Sequence, residues 1–483
     1  MYQLKKKINS QYLIIFFLII IYSLASYNNL GFYNDDEHFQ ILEPVAYLLG
    51  FNDILINDYS DYYWEWVDDH RIRPWIQPNF YYFIIISLNY FGLNDPFIWV
   101  YSIRIFNSIL GIFSILYLFN SLKNIFFKNN SIQIYFIYFS FWFFPFLHIR
   151  TSSESLSITL FCIALAFLIK TFGTTNEKGS KLKIIFFGFI LGLSIVVRPQ
   201  MIFTIFPIFI WVIFFRFYFD KILLVSIGLS SAIFFGLYVD YLNWGEFANI
   251  YYKIFQLQIL EGRMSGFGSQ PWWYYILTIL KDLAPIFSLV FLVSLIYFIY
   301  KNPKNIFTWM ILGTLIILSF FSHKETRFIF PIYIFAPFFI IYLIDNISNL
   351  RLKRFTAYSS LIFNFIFLFI IMFFPINSKI ALYKFLYYQE NKNQNIKFIG
   401  ENPYQFNNME PFFYTHFLPK LKESESLNSI NKTLVITNEY DLQKKIDNNG
   451  NCKIIYSTYP MKIIELNSNW KNKKMNWYVN KCN

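Results

Sequence analysis

LIIFFLIIIYSLAS, residues 13–26, is followed after a short link by YNDDEHFQ, residues 33–40. The first stretch is apolar enough to enter a bilayer, and Lys5, Lys6 and Lys7 before it place its N-terminus in the cytosol. A cleaved signal peptide has the same charge-then-apolar pattern. The apolar runs that recur down the chain favour an uncleaved first span instead. The second stretch sets Asp35, Asp36 and Glu37 side by side at the membrane rim. A carboxylate next to hydrocarbon is costly, so its presence there raises a functional question.

Composition supports the membrane reading. Of 483 residues, 56% are hydrophobic and only 14% charged, against roughly a quarter charged in soluble domains. Mean hydropathy is +0.40. This excludes a string of soluble domains and indicates a polytopic membrane protein. The net charge of +12 does not indicate nucleic acid, because the basic residues lie in short clusters between apolar runs and form no single patch. The 62 Phe and 37 Tyr fit AT-rich coding as well as any function. Cys162 sits in an apolar run and reads as packing, whereas Cys452 and Cys482 can pair if the tail lies outside the cytosol. His38, His70 and His416 are scattered, so no metal or cofactor is expected.

Further apolar runs lie near 98–120, 131–147, 155–171, 184–197, 200–215, 222–239, 277–299, 305–321, 328–345 and 356–375. With the first they predict about eleven transmembrane helices. The resulting cytosolic turns carry Lys123 and Lys128; Lys178, Lys181 and Lys183; Arg216 and Lys221; Lys301 and Lys304; Arg351, Lys353 and Arg354. That bias is the positive-inside pattern. It holds only if residues 81–93 do not cross, so that stretch reads as an interfacial helix. Loop 30–97, HIRTSSES at 148–155, RPQ at 198–200, loop 240–276 and SHKETR at 322–327 then share the non-cytosolic face. No internal repeat stands out. From about 376 a polar, Asn- and Lys-rich tail follows, with strand patterns in KTLVITNEY and CKIIYSTYPMKIIEL and a helix pattern in YDLQKKIDNN. The expected organisation is a transmembrane domain over 1–375, with its first outer loop at 30–97, and a small extracytoplasmic α/β domain over 376–483.

The acid turn opens a predicted helix, DDEHFQILEPVAYLLG, which Pro44 bends or interrupts. Two readings of it stand. Acids suit a helix N-terminus electrostatically, or one of them is a general base. Trp64, Trp66 and Trp75 are either interfacial anchors or platforms for sugar rings; Glu65, Asp68, Asp69, Arg71 and Arg73 are consistent with a salt-bridged surface. Arg104, Arg150, Arg198, Lys324 and Arg327 all fall at or near the outer leaflet in this topology. Snorkelling explains one or two such residues. A lipid phosphate or pyrophosphate explains a set of cations facing an acidic loop better.

Several motifs, in order, resemble the Alg- and PIG-type mannosyltransferases of glycosyltransferase family 22, of the GT-C superfamily, which use a lipid-phosphate mannose donor. That family reads His-Pro-Asp-Glu with a nearby Gln. Here Asn34, Asp35, Asp36, Glu37 and Gln40 keep the acids and the Gln without the His-Pro. Its Thr-Trp-Glu-Trp segment is matched by Trp64, Glu65 and Trp66 after Tyr63, followed by Arg71, Arg73 and Pro78. Its Arg-Thr-x-Ser-Asn-Ser appears as RTSSES, with Glu154 in the Asn position, and its Arg-Pro pair as Arg198 and Pro199. Pro271, Trp272 and Tyr275 match a Pro-Trp-x-x-Tyr pattern, and HKETRF at 323–328 matches in full. The likeness runs from about 30 to 340. Losing the His-Pro changes how the acidic loop is presented or which acceptor it meets.

The resemblance implies a GT-C fold and a one-step inverting transfer from a polyprenyl- or dolichyl-phosphate sugar to a glycan or glycolipid acceptor. Asp36 is the expected base, with Glu37 as alternative base or acceptor ligand. Arg104, Arg150, Arg198, His323, Lys324 and Arg327 are expected on the donor phosphate; Gln40, Trp64, Glu65, Trp66, Arg73 and Trp272 on the sugar or acceptor. Mannose is implied by the resemblance alone. A flippase for lipid-linked sugars also needs spans and cations, and would keep polar groups at mid-membrane. A polymerase or ligase would use a lipid-pyrophosphate donor.

Overall fold

The structure, a computed structural model, describes residues 2–52, 65–66, 70–127, 132–173, 180–216, 218–282, 285–389, 396–407, 409–424, 433–448, 452–466 and 476–482. Trp64, Asp68, Asp69, Lys128 and Lys178 lie outside them.

Apolar segments close their backbone hydrogen bonds within themselves because hydrocarbon offers no partner, and the chain is accordingly mostly helical. In order these are α1 (Tyr2–Asn28), α2 (Asp35–Phe39), α3 (Leu42–Leu48), α4 (Ile76–Tyr90), α5 (Pro96–Phe126), α6 (Ile132–Phe139) and α7 (Phe143–His148). Next come α8 (Ser153–Gly173), α9 (Lys181–Val197), α10 (Ile202–Phe215), α11 (Phe219–Trp244), α12 (Ile250–Phe255), α13 (Arg263–Gly266) and α14 (Tyr274–Asp282). The rest are α15 (Pro285–Lys301), α16 (Ile306–Phe320), α17 (Phe330–Tyr333), α18 (Ala336–Asn346), α19 (Leu350–Phe373), α20 (Ser378–Tyr387), α21 (Phe412–Thr415), α22 (Tyr440–Asn448) and α23 (Met461–Glu465).

The protein is an integral membrane protein. Among the described residues four helices are long and apolar enough to cross alone, or six if each of two bent pairs counts as one span. Eleven spans are therefore not supplied by length alone. The runs at 131–147 and 200–215 form shorter helices, Ile134–His148 and Pro199–Phe215, below the ~20 residues a straight crossing needs. Helix α4, over the stretch read as interfacial, has 15 residues.

The chain divides into two compact units. Met1–Ser23, Trp64–Phe80 and Arg104–Ile370 form the first. Within it α9 and α11 touch backbone to backbone. A Cβ on Gly188 would reach 2.5 Å from the Val225 carbonyl, and one on Gly192 would reach 2.7 Å from that of Leu229. Gly228 and Gly236 are pressed equally close to Ile185 and Val196. With Ala232 between Gly228 and Gly236, this is a small-residue seam at spacing four on both helices. The break between α6 and α7 is filled by a buried Asn364 side chain. It accepts from the Trp142 N–H at 2.8 Å and donates to the Ser140 carbonyl at 2.6 Å.

Leu24–Tyr63, Tyr81–Ile103 and Ile371–Asn483 form the second unit. Its sheet contains β1 (Ile396–Phe398), β2 (Leu421–Glu423), β3 (Leu434–Thr437), β4 (Cys452–Ser457) and β5 (Tyr478–Cys482), in the order β2-β1-β3-β5-β4. β1 is parallel to β2 and β3, and β5 is antiparallel to β3 and β4. Cys452 and Cys482 face each other across β4 and β5 and form a disulfide. The expected strand and helix at 434–437 and 440–448 are present. CKIIYSTYPMKIIEL, in contrast, is strand only to Ser457 and then α23, because Pro460 precedes a new helical turn. The link after α1 is tied into this unit by side-chain bonds from Asn28 and Asn29 to the carbonyls of Met372 and Phe374.

Candidate active site

In the second unit, the acid turn is a capped helix start. Asn34 is extended, and its side chain accepts from the Asp36 N–H at 3.0 Å. Glu37 reaches back to accept from the Tyr33 N–H at 3.1 Å. That reciprocal arrangement satisfies donors which a helix N-terminus leaves open. It also separates the roles of the acids. Glu37 is buried and serves the cap, while Asp36 is partly exposed. Asp35 accepts from the Asn407 amide at 3.2 Å. Burial raises its carboxyl above the ordinary range, and the Asp36 charge adds to the rise against His38 and Lys379.

The predicted long helix is two helices. The chain breaks at Gln40 and Ile41, and Pro44 falls in the first turn of α3, where its missing N–H costs nothing. The break brings Glu43 beneath the turn. Fully buried, it accepts from or pairs with His38 Nε2 at 2.7 Å, the Asn52 amide at 3.0 Å and the Phe413 N–H at 3.1 Å. Gln40 is buried in the same turn.

In the first unit, three breaks in apolar helices bring cations together. Gln77 donates to the Thr151 carbonyl at 2.8 Å, and Asn107 to that of Arg150 at 2.8 Å. These bonds hold the irregular backbone ahead of α8 and put Glu154 in its first turn. Pro199 disfavours helix at the residue before it, and Arg198 is extended between α9 and the 3-10 turn that precedes α10. Arg198 meets Glu154 Oε1 at 2.7 Å and donates to Ser153 Oγ at 2.9 Å. Arg327, on the 3-10 turn Thr326–Ile329, reaches the same oxygen at 3.4 Å and also pairs with Glu325. Glu325 accepts in addition from His323 Nε2 at 2.9 Å.

Glu154, Arg198 and Arg327 line a small cleft with Gln200 and Thr204, among apolar side chains such as Met201, Leu318 and Phe328. The Arg198 guanidinium lies 5.8 Å from the Phe328 ring centroid. Lys324 points elsewhere, donating to the carbonyls of Gln270 (3.1 Å) and Phe321. Arg104 and Arg150 are buried, Arg150 over the Phe146 ring. Arg73 is in a two-bond pair with Glu65 at 2.8 and 2.5 Å. Trp66 is buried against Trp75 and Trp244, so it is an anchor rather than an open platform, while Trp272 is exposed.

Each arginine carries five donors in a fixed fork. One carboxylate oxygen of Glu154 joins the two guanidiniums at this cleft. Two features escaped the motif reading. Glu154 looked like a departure from a pattern and turns out to join the two arginines. Gln77, Asn107 and Glu43 were visible as lone polar residues in greasy surroundings.

Comparisons with known proteins follow the same lines. A family model described as the Alg9-like mannosyltransferase family matches residues 12–409. GPI alpha-1,2-mannosyltransferase 3 of Bos taurus is 24% identical over 327 residues, covering 65% of this chain and 55% of the bovine one. A probable Dol-P-Man:Man(7)GlcNAc(2)-PP-Dol alpha-1,6-mannosyltransferase of Schizosaccharomyces pombe is 32% identical over 111 residues, 23% of this chain and 20% of that one. The chain thus spans little more than half the length of the GPI mannosyltransferases it matches. Among solved structures, ArnT from Cupriavidus metallidurans bound to undecaprenyl phosphate has a TM-score of 0.51 at 10% identity, with 98% of both chains covered. That likeness establishes the GT-C fold.

Proposed function

The chain belongs to the Alg9-like mannosyltransferase family, and on that premise we propose that it transfers mannose, or a related hexose, from a lipid-phosphate donor to a glycan or glycolipid acceptor. The lipid is a polyprenyl or dolichyl phosphate. The observation that carries the reading is the pair of arginines, buried Arg198 and partly buried Arg327, held on one oxygen of Glu154.

In this reading the chemistry takes place at the non-cytosolic face. The Asp36 carboxylate takes the proton of an acceptor hydroxyl while that oxygen bonds to the anomeric carbon from the side opposite the phosphate. The bond from that carbon to the phosphate oxygen breaks, the configuration inverts, and the lipid monophosphate leaves with the electron pair. Arg198 and Arg327 stabilise the charge growing on the phosphate, with Arg104, Arg150, His323 and Lys324 shaping the surrounding field. Monophosphate is already a good leaving group, so no acid and no metal are invoked. Gln40, Glu65, Arg73 and Trp272 are assigned to the sugar or acceptor. The proposed organisation assigns the transmembrane work to 1–375, its catalytic loop to 30–97, and an extracytoplasmic structural role to 376–483.

Purified protein in liposomes, given labelled lipid-phosphate mannose in one arm and a lipid-pyrophosphate oligosaccharide in another, tests this. Sugar transfer from the first donor alone is expected. Transfer only from the pyrophosphate donor, or translocation without transfer, would overturn the reading.

A further inference from the structure

Helices α8, α9, α10 and α11 enclose a second cavity, of ≈ 280 Å³, far along the helices that carry Glu154 and Arg198. Its walls are apolar, formed by side chains such as Leu168, Leu191, Ile208 and Val225, and its rim carries Arg216 and Lys304. Along α8, Leu168 is fourteen residues beyond Glu154, about 21 Å at 1.5 Å per residue. Along the α10 segment, Arg216 is eighteen residues beyond Arg198, about 27 Å by the same rise. That is close to the ~30 Å thickness of a bilayer's hydrocarbon. The rim therefore lies well along the helix axes from the arginine cleft, toward the end that carries the basic turns at Arg216 and Lys221 and at Lys301 and Lys304.

The rim is built to hold charge. The Trp211 indole donates to the Lys304 carbonyl at 2.8 Å and pins the turn between α15 and α16 against α10. Arg216 ends α10 and is exposed, as is Lys304, and neither makes an ion pair with a carboxylate among the described residues. Nearby Lys221 is committed differently, donating to the Thr171 carbonyl at 2.6 Å.

We propose that this groove is a binding site for an anionic phospholipid of the leaflet opposite the arginine cleft. One acyl chain fills the apolar cavity, and the headgroup phosphate sits between Arg216 and Lys304. The apolar wall selects a chain, and the paired cations select negative charge, which is abundant in the cytosolic leaflet. The proposal does not depend on the transfer reaction and concerns a lipid that is not consumed.

Native mass spectrometry of the purified full chain, titrated with phosphatidylglycerol or with phosphatidylcholine of the same acyl chains, tests it. Wild type is expected to keep one phosphatidylglycerol in clear preference to phosphatidylcholine. Arg216→Ala with Lys304→Ala should weaken phosphatidylglycerol retention by roughly fivefold per cation and abolish the preference. Ile208→Trp, which fills the cavity, should lower retention of both lipids. Equal retention of the two lipids by wild type, an unchanged preference in the double variant, or a dimer in place of the lipid adduct would overturn the proposal. The two rim side chains are exposed, so the double variant decides the matter even if Ile208→Trp does not fold.

Discussion

Arg198 and Arg327 converge on the same oxygen of Glu154, at 2.7 and 3.4 Å, although 129 residues separate them in the chain. Arg327 also pairs with Glu325, so two guanidiniums and two carboxylates interlock there. In the proposed reading a lipid phosphate takes its place beside these two guanidiniums.

Arg198→Lys should therefore reduce transfer strongly, because lysine keeps the charge but loses the fork that reaches Glu154 and Ser153 together. A fall of about 10²–10³ in kcat, the usual cost of one lost transition-state donor, is expected in a liposome transfer assay. A fall in apparent donor affinity alone would place Arg198 in ground-state binding.

Glu154→Gln removes the buried carboxylate between Arg198 and Arg327. Breaking such a pair typically costs about 3–5 kcal/mol. The melting temperature in detergent should drop by several degrees, and added lipid monophosphate should restore part of it by supplying the missing negative charge.

Asp36 and Glu37 should separate on mutation. Asp36→Asn is expected to keep the fold and lose about 10²–10⁴ in rate, as for a general base. Glu37→Gln weakens the link to the Tyr33 N–H and should mainly lower stability, by about 1 kcal/mol. Paired melting curves and single-turnover rates distinguish the two.

Asp35 sets a pH signature. Burial, with Asp36 beside it, raises its carboxyl above the ordinary 3.8. An acid whose folded value exceeds its unfolded one opposes folding once ionised. The cost is absent below the unfolded value, grows as pH climbs from 3.8 through the raised value, and is complete at neutral pH. Asp35→Asn should raise the melting temperature at pH 7, and that gain should vanish below the ordinary carboxylate range.

Much of this was legible before the fold was known. Apolar runs marked the helices because hydrocarbon leaves the backbone no other partner. RPQ marked the break after α9 because Pro199 restricts Arg198. The ordered motifs marked the family. What stayed hidden depends on distance across the fold. Nothing local tells that Glu43 gathers His38, Asn52 and Phe413, or that Asn364 fills the break near Ser140. The break at Gln40 was misplaced to Pro44, since a proline in a first turn looks the same in sequence as one that interrupts a helix. The number of spans was less legible still, because helices that break inside the membrane lose the length by which spans are counted.

The central claim is that one lipid phosphate is held by Arg198 and Arg327 while Asp36 faces the sugar it carries. An experimental structure with a non-hydrolysable lipid-phosphate mannose analogue bound tests this most directly. The account predicts phosphate density within hydrogen-bond reach of both guanidiniums. Phosphate bound away from both arginines, or Asp36 on the opposite membrane face, would contradict it.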